Sequence, residues 1–207
     1  MTNRREFLHL GVAALSLPIA ARAGVSPEIF GAGDRGSGDR AGTEPIYKAY
    51  FDERFPACAA FAEEAKRRAL ATQAIRGDIT DIWFSDLYYR WKHGPVAIAG
   101  MTAPGAIFCL ELLARDAGMR VALRVDHGRL PDGRMEHEFA GPEEIFARAA
   151  ESESRAAGWP ERMAETVAQF PVERGRAATL RFSGADVASG SAPDHLVTWV
   201  IAAARRT

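Results

Sequence analysis

Three sets of residues in this chain have the types and spacing to do chemistry. In "GMTAPGAIF", Gly100 to Phe108, a loop of small residues enters a helical pattern. Such a loop leaves backbone N–H groups and the positive end of a helix dipole facing outward, which suits an anion. The run is neither G-x-G-x-x-G nor G-x-x-x-x-G-K-[ST], and it has no lysine to meet a phosphate. Nor does it read G-x-S-x-G, so Thr102 fits an N-cap better than a nucleophile. The second set is His127 and His137. A three-residue loop of Pro131, Asp132 and Gly133 puts Leu130 opposite Arg134, and the same register sets the two histidines face to face. Facing imidazoles can share a divalent metal if Asp78 or Asp52 adds a third ligand, or can be hydrogen-bonded groups at the sheet end. No third ligand is fixed by spacing, so no metal is assigned. The third set is acidic: Asp52 closes one β-rich run and Asp78 the next.

The elements that must position these groups alternate. "IYKAYFD" (46–52) is aromatic and β-rich, and from Phe55 to Leu70 the residues Cys58, Phe61, Ala62, Ala65 and Ala69 recur at helical spacing. "TQAIRGD" (72–78) is a second strand. A helix follows with Ile79, Trp83, Leu87 and Trp91 as one i, i+4 stripe, Asp78, Thr80 and Asp81 at its start, and Gly94-Pro95 as its stop. "VAIAGM" (96–101) is a strand buried on both faces, "TAPGAIFCLELLARDAG" (102–118) a helix, and "RVALRVDH" (120–127) a fourth strand. "MEHEF" (135–139) runs back antiparallel. Alternation places Val121, Leu123, Val125, His127, Met135, His137 and Phe139 on one face of that hairpin. Helices over 143–158 and 160–170 precede two closing strands, "ATLRFSG" and "HLVTWVIAA". The expectation is a three-layer α/β fold, Rossmann-like or flavodoxin-like, with a mainly parallel sheet and an antiparallel hairpin extension. In such sheets ligands bind outside the carboxyl ends of the strands. That nominates Asp52, Asp78, Thr102, Gly105 and His127 as ligand-binding residues, with no reaction assigned and no cofactor identified.

The 207 residues suffice for one domain and a tail, and 47% hydrophobic with 26% charged residues excludes a disordered or multi-spanning chain. The net charge of −1 gives nucleic acid nothing to bind. Residues 24–44, "GVSPEIFGAGDRGSGDRAGTE", read as a flexible linker before a single domain over 45–207. Cys58 and Cys109 fall on helices that this fold puts on opposite faces of the sheet. They are therefore expected as two buried thiols and not a disulfide.

The first 23 residues read in three parts. A polar start with Arg4 and Arg5 precedes an apolar run from Phe7 to Ala21, and Ala21 and Ala23 frame an A-x-A cleavage site. The run is short for a membrane span and is weakened by Gly11, Ser16 and Pro18. "NRREFLHLG" resembles the twin-arginine export motif, with Arg4 and Arg5 paired, Phe7 at the aromatic position and Leu8 after it; His9 stands where that family usually has lysine. The resemblance implies passage through the twin-arginine translocase in the folded state, a periplasmic location and no stable transmembrane segment after cleavage. Loss of Arg4, Arg5, Arg22 and Glu6 would leave a net charge of −3. Passengers of this route often carry a preloaded cofactor or escort a partner that has no leader. Two functions follow: an accessory or escort subunit of a larger periplasmic oxidoreductase, or a free-standing enzyme or binding protein for a small anion at the carboxyl edge of the sheet.

Overall fold

The computed structural model describes residues 45–145, 158–170, 177–187 and 195–203. The leader with Arg4, Arg5, Phe7, Leu8, Ala21 and Ala23, the linker at 24–44, and most of the helix expected over 143–158 lie outside the described residues. The elements are β1 (Lys48–Asp52), α1 (Pro56–Arg67), β2 (Thr72–Ile75), α2 (Thr80–Ile82), a π-helical turn (Trp83–Leu87), α3 (Tyr88–His93), β3 (Ile98–Thr102), α4 (Pro104–Asp116), β4 (Met119–Arg129), β5 (Arg134–Pro142), α5 (Trp159–Ala168), β6 (Ala177–Val187) and β7 (His195–Ala203). The strands form one seven-stranded sheet in the order β2-β1-β3-β7-β4-β5-β6.

The α/β class holds, with helices on both faces, but the sheet is not mainly parallel. Only β1–β2 and β1–β3 are parallel; the other four pairings, β3–β7, β4–β7, β4–β5 and β5–β6, are antiparallel. β7 is the cause. It enters between β3 and β4 and separates two strands that the β-α alternation would pair. Its run Leu196–Ala202 is buried throughout, the pattern of a central strand covered on both sides. A close joint lies at its edge with β3. A Cβ on Gly100 would sit 2.4 Å from the Tyr50 carbonyl and 2.5 Å from Cζ2 of Trp199, so only glycine leaves space for that indole.

α1 and α5 cover one face with a core that includes Phe61, Leu123, Phe139, Met163 and Val167. The α2–α3 segment and α4 cover the other, around Tyr50, Ile107, Leu110, Trp199 and Ile201. Two local irregularities depart from simple periodicity. The stripe of the second helical segment is Ile79, Ile82, Leu87 and Trp91, while Trp83 is only half-buried. The five-residue π turn absorbs the long step from Ile82 to Leu87. In β4 the pairing with β7 slips between Val121 and Leu123, so Val121 packs on the opposite face from Leu123 and Val125.

The β4–β5 hairpin has the expected register: His127 is opposite His137, and the Leu130 N–H donates to the Arg134 carbonyl at 2.8 Å. α1 ends with Ala69 at φ 61°, the Ala69 N–H on the Lys66 carbonyl at 2.9 Å and the Leu70 N–H on the Ala65 carbonyl at 3.0 Å. That is a Schellman closure with alanine where glycine is preferred. No helix among the described residues is long and apolar enough to cross a membrane.

Candidate functional site

The helices after β1 and β3 leave the sheet on opposite faces, because α1 buries Cys58, Phe61 and Ala65 in one core and α4 buries Ile107, Leu110 and Ala114 in the other. Adjacent parallel strands whose helices diverge open a crevice at their carboxyl ends. Both helices begin there in the same way. Phe55 and Ala103 occupy the N-cap positions in extended conformation without a side-chain cap, proline is in each first turn, and no acidic residue is in either first turn. Proline has no N–H to satisfy, and the next amides, those of Ala57 and Gly105, have no carbonyl available within their own helices. Gly105 is exposed, and a Cβ there would meet nothing within 4 Å.

Asp52 is the last residue of β1. Its side chain is fully buried, and its carboxylate accepts Arg54 Nε at 2.8 Å and Arg54 Nη2 at 2.6 Å. The Arg54 guanidinium lies against Gly77 at the end of β2, where a Cβ would come within 2.3 Å of Nη2. Positive φ and this close approach together require glycine at that position. With Nε and Nη2 on Asp52, Arg54 keeps Nη1 for another acceptor. At the rim, Glu53 pairs with Arg76 at 3.1 Å. Cys58, in the first turn of α1, is pushed up to about 12 by burial, so it stays a neutral thiol.

Asp52 ends β1 and Gly105 lies in the first turn of α4, after β3, whereas the side chains of the other three nominated residues are engaged elsewhere. Thr102 is no cap; it is the last residue of β3, fully buried, and its Oγ1 accepts the Trp199 indole N–H at 3.1 Å. Asp78 is exposed and accepts both the Thr80 N–H, at 2.8 Å, and the Thr80 hydroxyl, at 2.7 Å, which holds its carboxyl below the usual range. It caps the start of α2. His127 is not at a strand end facing the crevice, because β4 continues to Arg129 and three strand spacings, about 14 Å, separate β4 from β1.

His127 instead belongs to a buried cluster in the antiparallel half. Its Nδ1 is 2.7 Å from Nδ1 of His137, its Nε2 is 2.8 Å from the Thr198 hydroxyl, and the Trp159 ring lies 4.6 Å from its ring and 5.4 Å from that of His137. Burial, with His137 and His195 adding their repulsion, drives the His127 pKa well below 6.5. Among the described residues no group of three His, Cys, Asp or Glu side chains is placed to hold a metal. His195, without an evident partner in the sequence, donates from Nε2 to Asp126 at 2.9 Å on the opposite face. Cys58 and Cys109 are both free thiols, but Cys109 is exposed, because the buried stripe of α4 runs through Ala106, Ile107, Leu110 and Ala114.

Pairwise reasoning along the chain missed three partners: Arg54 as the clamp on Asp52, and Thr198 and Trp159 around the histidines. The first had a signal, since an arginine two residues after a strand-end aspartate can fold back on it. Thr198 had only a weak one, a polar residue inside an otherwise apolar run. No family model, curated protein or solved structure matches the chain.

Proposed function

We propose that the protein binds a small, singly charged anion in the crevice between the carboxyl ends of β1 and β3, with the β2-β1-β3 portion acting as a flavodoxin-like switch point. What supports this is that the two helices following the adjacent parallel strands β1 and β3 both start without a side-chain cap or an acidic residue in the first turn, and that the Asp52–Arg54 pair lies at the end of β1. Asp52 and Arg54 cancel one another. The two helix ends contribute roughly half a positive charge each, so the crevice offers about one positive charge and is matched to a monoanion. In this arrangement the amides of Ala57 and Gly105 and the Nη1 of Arg54 are the donors, and Asp52 is a positioning residue that holds the guanidinium. With Cys58 neutral and Thr102 bonded to Trp199, binding and orientation are what the crevice supports.

Amide NMR shifts during titration with acetate, chloride and inorganic phosphate test this. Ala57, Gly105 and Arg54 are expected to move first, and Gly105→Asp, which meets no clash and places a carboxylate at the helix end, is expected to abolish the response. Saturating anion without any shift at these amides would defeat the reading.

A second reading, the exported escort or accessory subunit of a larger oxidoreductase, is supported by an aromatic row on the π turn and α3. Phe84, Tyr88 and Tyr89 are 64%, 40% and 60% exposed. Aromatic side chains of this kind dominate docking surfaces. Arg4→Lys/Arg5→Lys is expected to hold the protein in the cytoplasm, and Phe84→Ser/Tyr89→Ser to release the partner from the exported complex. Exported protein that runs as a monomer, with nothing co-purifying, removes the escort reading.

A further inference from the structure

α4 is apolar on two sides. Its inner stripe, Ala106, Ile107, Leu110 and Ala114, is buried in the core. Its outer stripe, Gly105, Phe108, Cys109 and Leu112, is exposed, Phe108 at 61% and Leu112 at 47%. These residues recur at steps of three and four, so they lie along one side of the helix. A helix facing water normally carries charge there. α1 does so, with Glu63 paired to Lys66 at 2.7 Å and Glu64 to Arg67 at 2.6 Å. On α4 the charges are confined to the C-terminal part: Glu111, bonded to Arg115 at 2.6 Å, and Asp116. A helix that is apolar on both sides is one that is covered on both.

The pattern of this outer face fits a second copy of the same helix. The first turn of α4 has neither a side-chain cap nor an acidic residue, while its last residue, Asp116, sets a negative charge at the negative end of the helix dipole. Two copies running antiparallel about a two-fold axis level with Leu110 relieve both conditions. Phe108 of each helix lies beside the partner's Leu112. Gly105 leaves room for the stem of the partner's Arg115, whose guanidinium stays on Glu111. Asp116 reaches the level of the partner's Pro104, where its charge meets the positive end of that dipole. Sliding one helix by a turn sets Asp116 beside Phe108 or carries it past the helix start, so this register alone matches apolar groups and charge together. Such self-complementarity is what a two-fold interface requires.

We propose that the outer face of α4 is a dimerisation surface on which two copies of the chain pair antiparallel through Gly105, Phe108, Cys109, Leu112 and Asp116. These five residues a side are fewer than the roughly 20–30 of a standard interface, so the dimer is expected to be weak and to form at about 10–100 μM protein. It rests on neither reading above: the aromatic row on the π turn and α3 takes no part, and Asp116 approaches from the side of α4 away from the sheet.

Sedimentation velocity on the full chain, from about 1 to 200 μM, is expected to show a reversible monomer–dimer equilibrium. Phe108→Glu/Leu112→Glu is expected to leave only monomer. Asp116→Lys is the cleaner test, because a cation at the end of α4 suits that helix's own dipole and does not loosen the fold. It is expected to weaken the dimer about 10-fold, since symmetry removes two charge–dipole contacts at once. The two Cys109 residues flank the axis, offset by about 3 Å along it. Mild oxidation is therefore expected to link the dimer covalently in the wild-type protein and in Cys58→Ser, and not in Cys109→Ser. A monomer at every concentration overturns the proposal. So does a dimer unaffected by Asp116→Lys, or a covalent link that persists in Cys109→Ser; if the double glutamate variant does not fold, these two outcomes decide.

Discussion

The two halves of the sheet handle buried polarity in opposite ways. In the parallel half, β2-β1-β3, a fully buried carboxylate is neutralised by an arginine two residues away, and β1 and β3 are each followed by a helix that starts without a side-chain cap. In the antiparallel half the sheet itself buries two imidazoles and a hydroxyl from three different strands, with a tryptophan packed on the rings. Charge is accommodated in the first half because its compensation is local and solvent is near. In the second half burial disfavours the charged form of His127. The difference follows from topology. Parallel strands end together at one edge, whereas hairpins place residues opposite one another deep inside the sheet.

The sharpest way to break this comparison is to cut the strand that joins the halves. Trp199→Ala removes a fully buried indole from the β3–β7 joint and leaves the Thr102 hydroxyl without its donor. The expected loss is about 4 kcal/mol in chemical denaturation, with both halves unfolding in one transition. Two separated transitions would show that β7 does not couple them.

Next in size is Arg54→Met, expected to cost about 2–3 kcal/mol by stranding the Asp52 carboxylate, less than a pair buried on both sides because Arg54 is 44% exposed. Asp52→Asn added to it should recover most of that loss. No recovery would mean that the guanidinium matters through its packing on Gly77.

The pH dependence of stability separates the halves by window. The folded His127 pKa is well below 6.5, so the unfolded chain takes up protons first as pH falls. Stability is therefore fully present above about pH 6.5 and is lost below it, by up to roughly 1.4 kcal/mol per pH unit for this ring. Carboxylates held below their usual range work lower. Asp86, partnered by Lys48, Tyr47 and Arg90 against the burial that opposes them, gives stability that is present above its ordinary value of 3.8 and lost as pH falls below it. Denaturation midpoints at a series of pH values should show the upper step vanish in His127→Gln while the lower one remains.

The smallest expected effect is a gain. Ala69→Gly relieves a positive φ at the end of α1 and should stabilise the protein by about 0.5–1 kcal/mol in thermal denaturation, away from both sites.

Much of the architecture was legible because it is written over short distances. The three-residue loop, the alternation of β4 and β5 and the facing histidines all follow from contiguous residues, and the place of Pro104 in the first turn of α4 follows from proline's missing N–H. The readings that failed depended on comparing alternatives far apart in the chain. Thr102 looked like a cap until Trp199, 97 residues on, claimed its hydroxyl. A continuous i, i+4 stripe from Ile79 to Trp91 hid a π turn because Trp83 is apolar enough to be counted as core.

By itself, then, the sequence determined the main elements, the hairpin register and the divergence of α1 and α4 to opposite faces of the sheet. Each of these rests on local hydrogen bonding or on which face of one element is apolar. Only the tertiary structure decided that β7 is central and antiparallel, and hence which polar groups meet. A strand that is apolar on both faces specifies that it must be covered on both sides. It does not specify between which neighbours, and that choice falls to the packing of Trp199 on Gly100 and of Thr198 on His127.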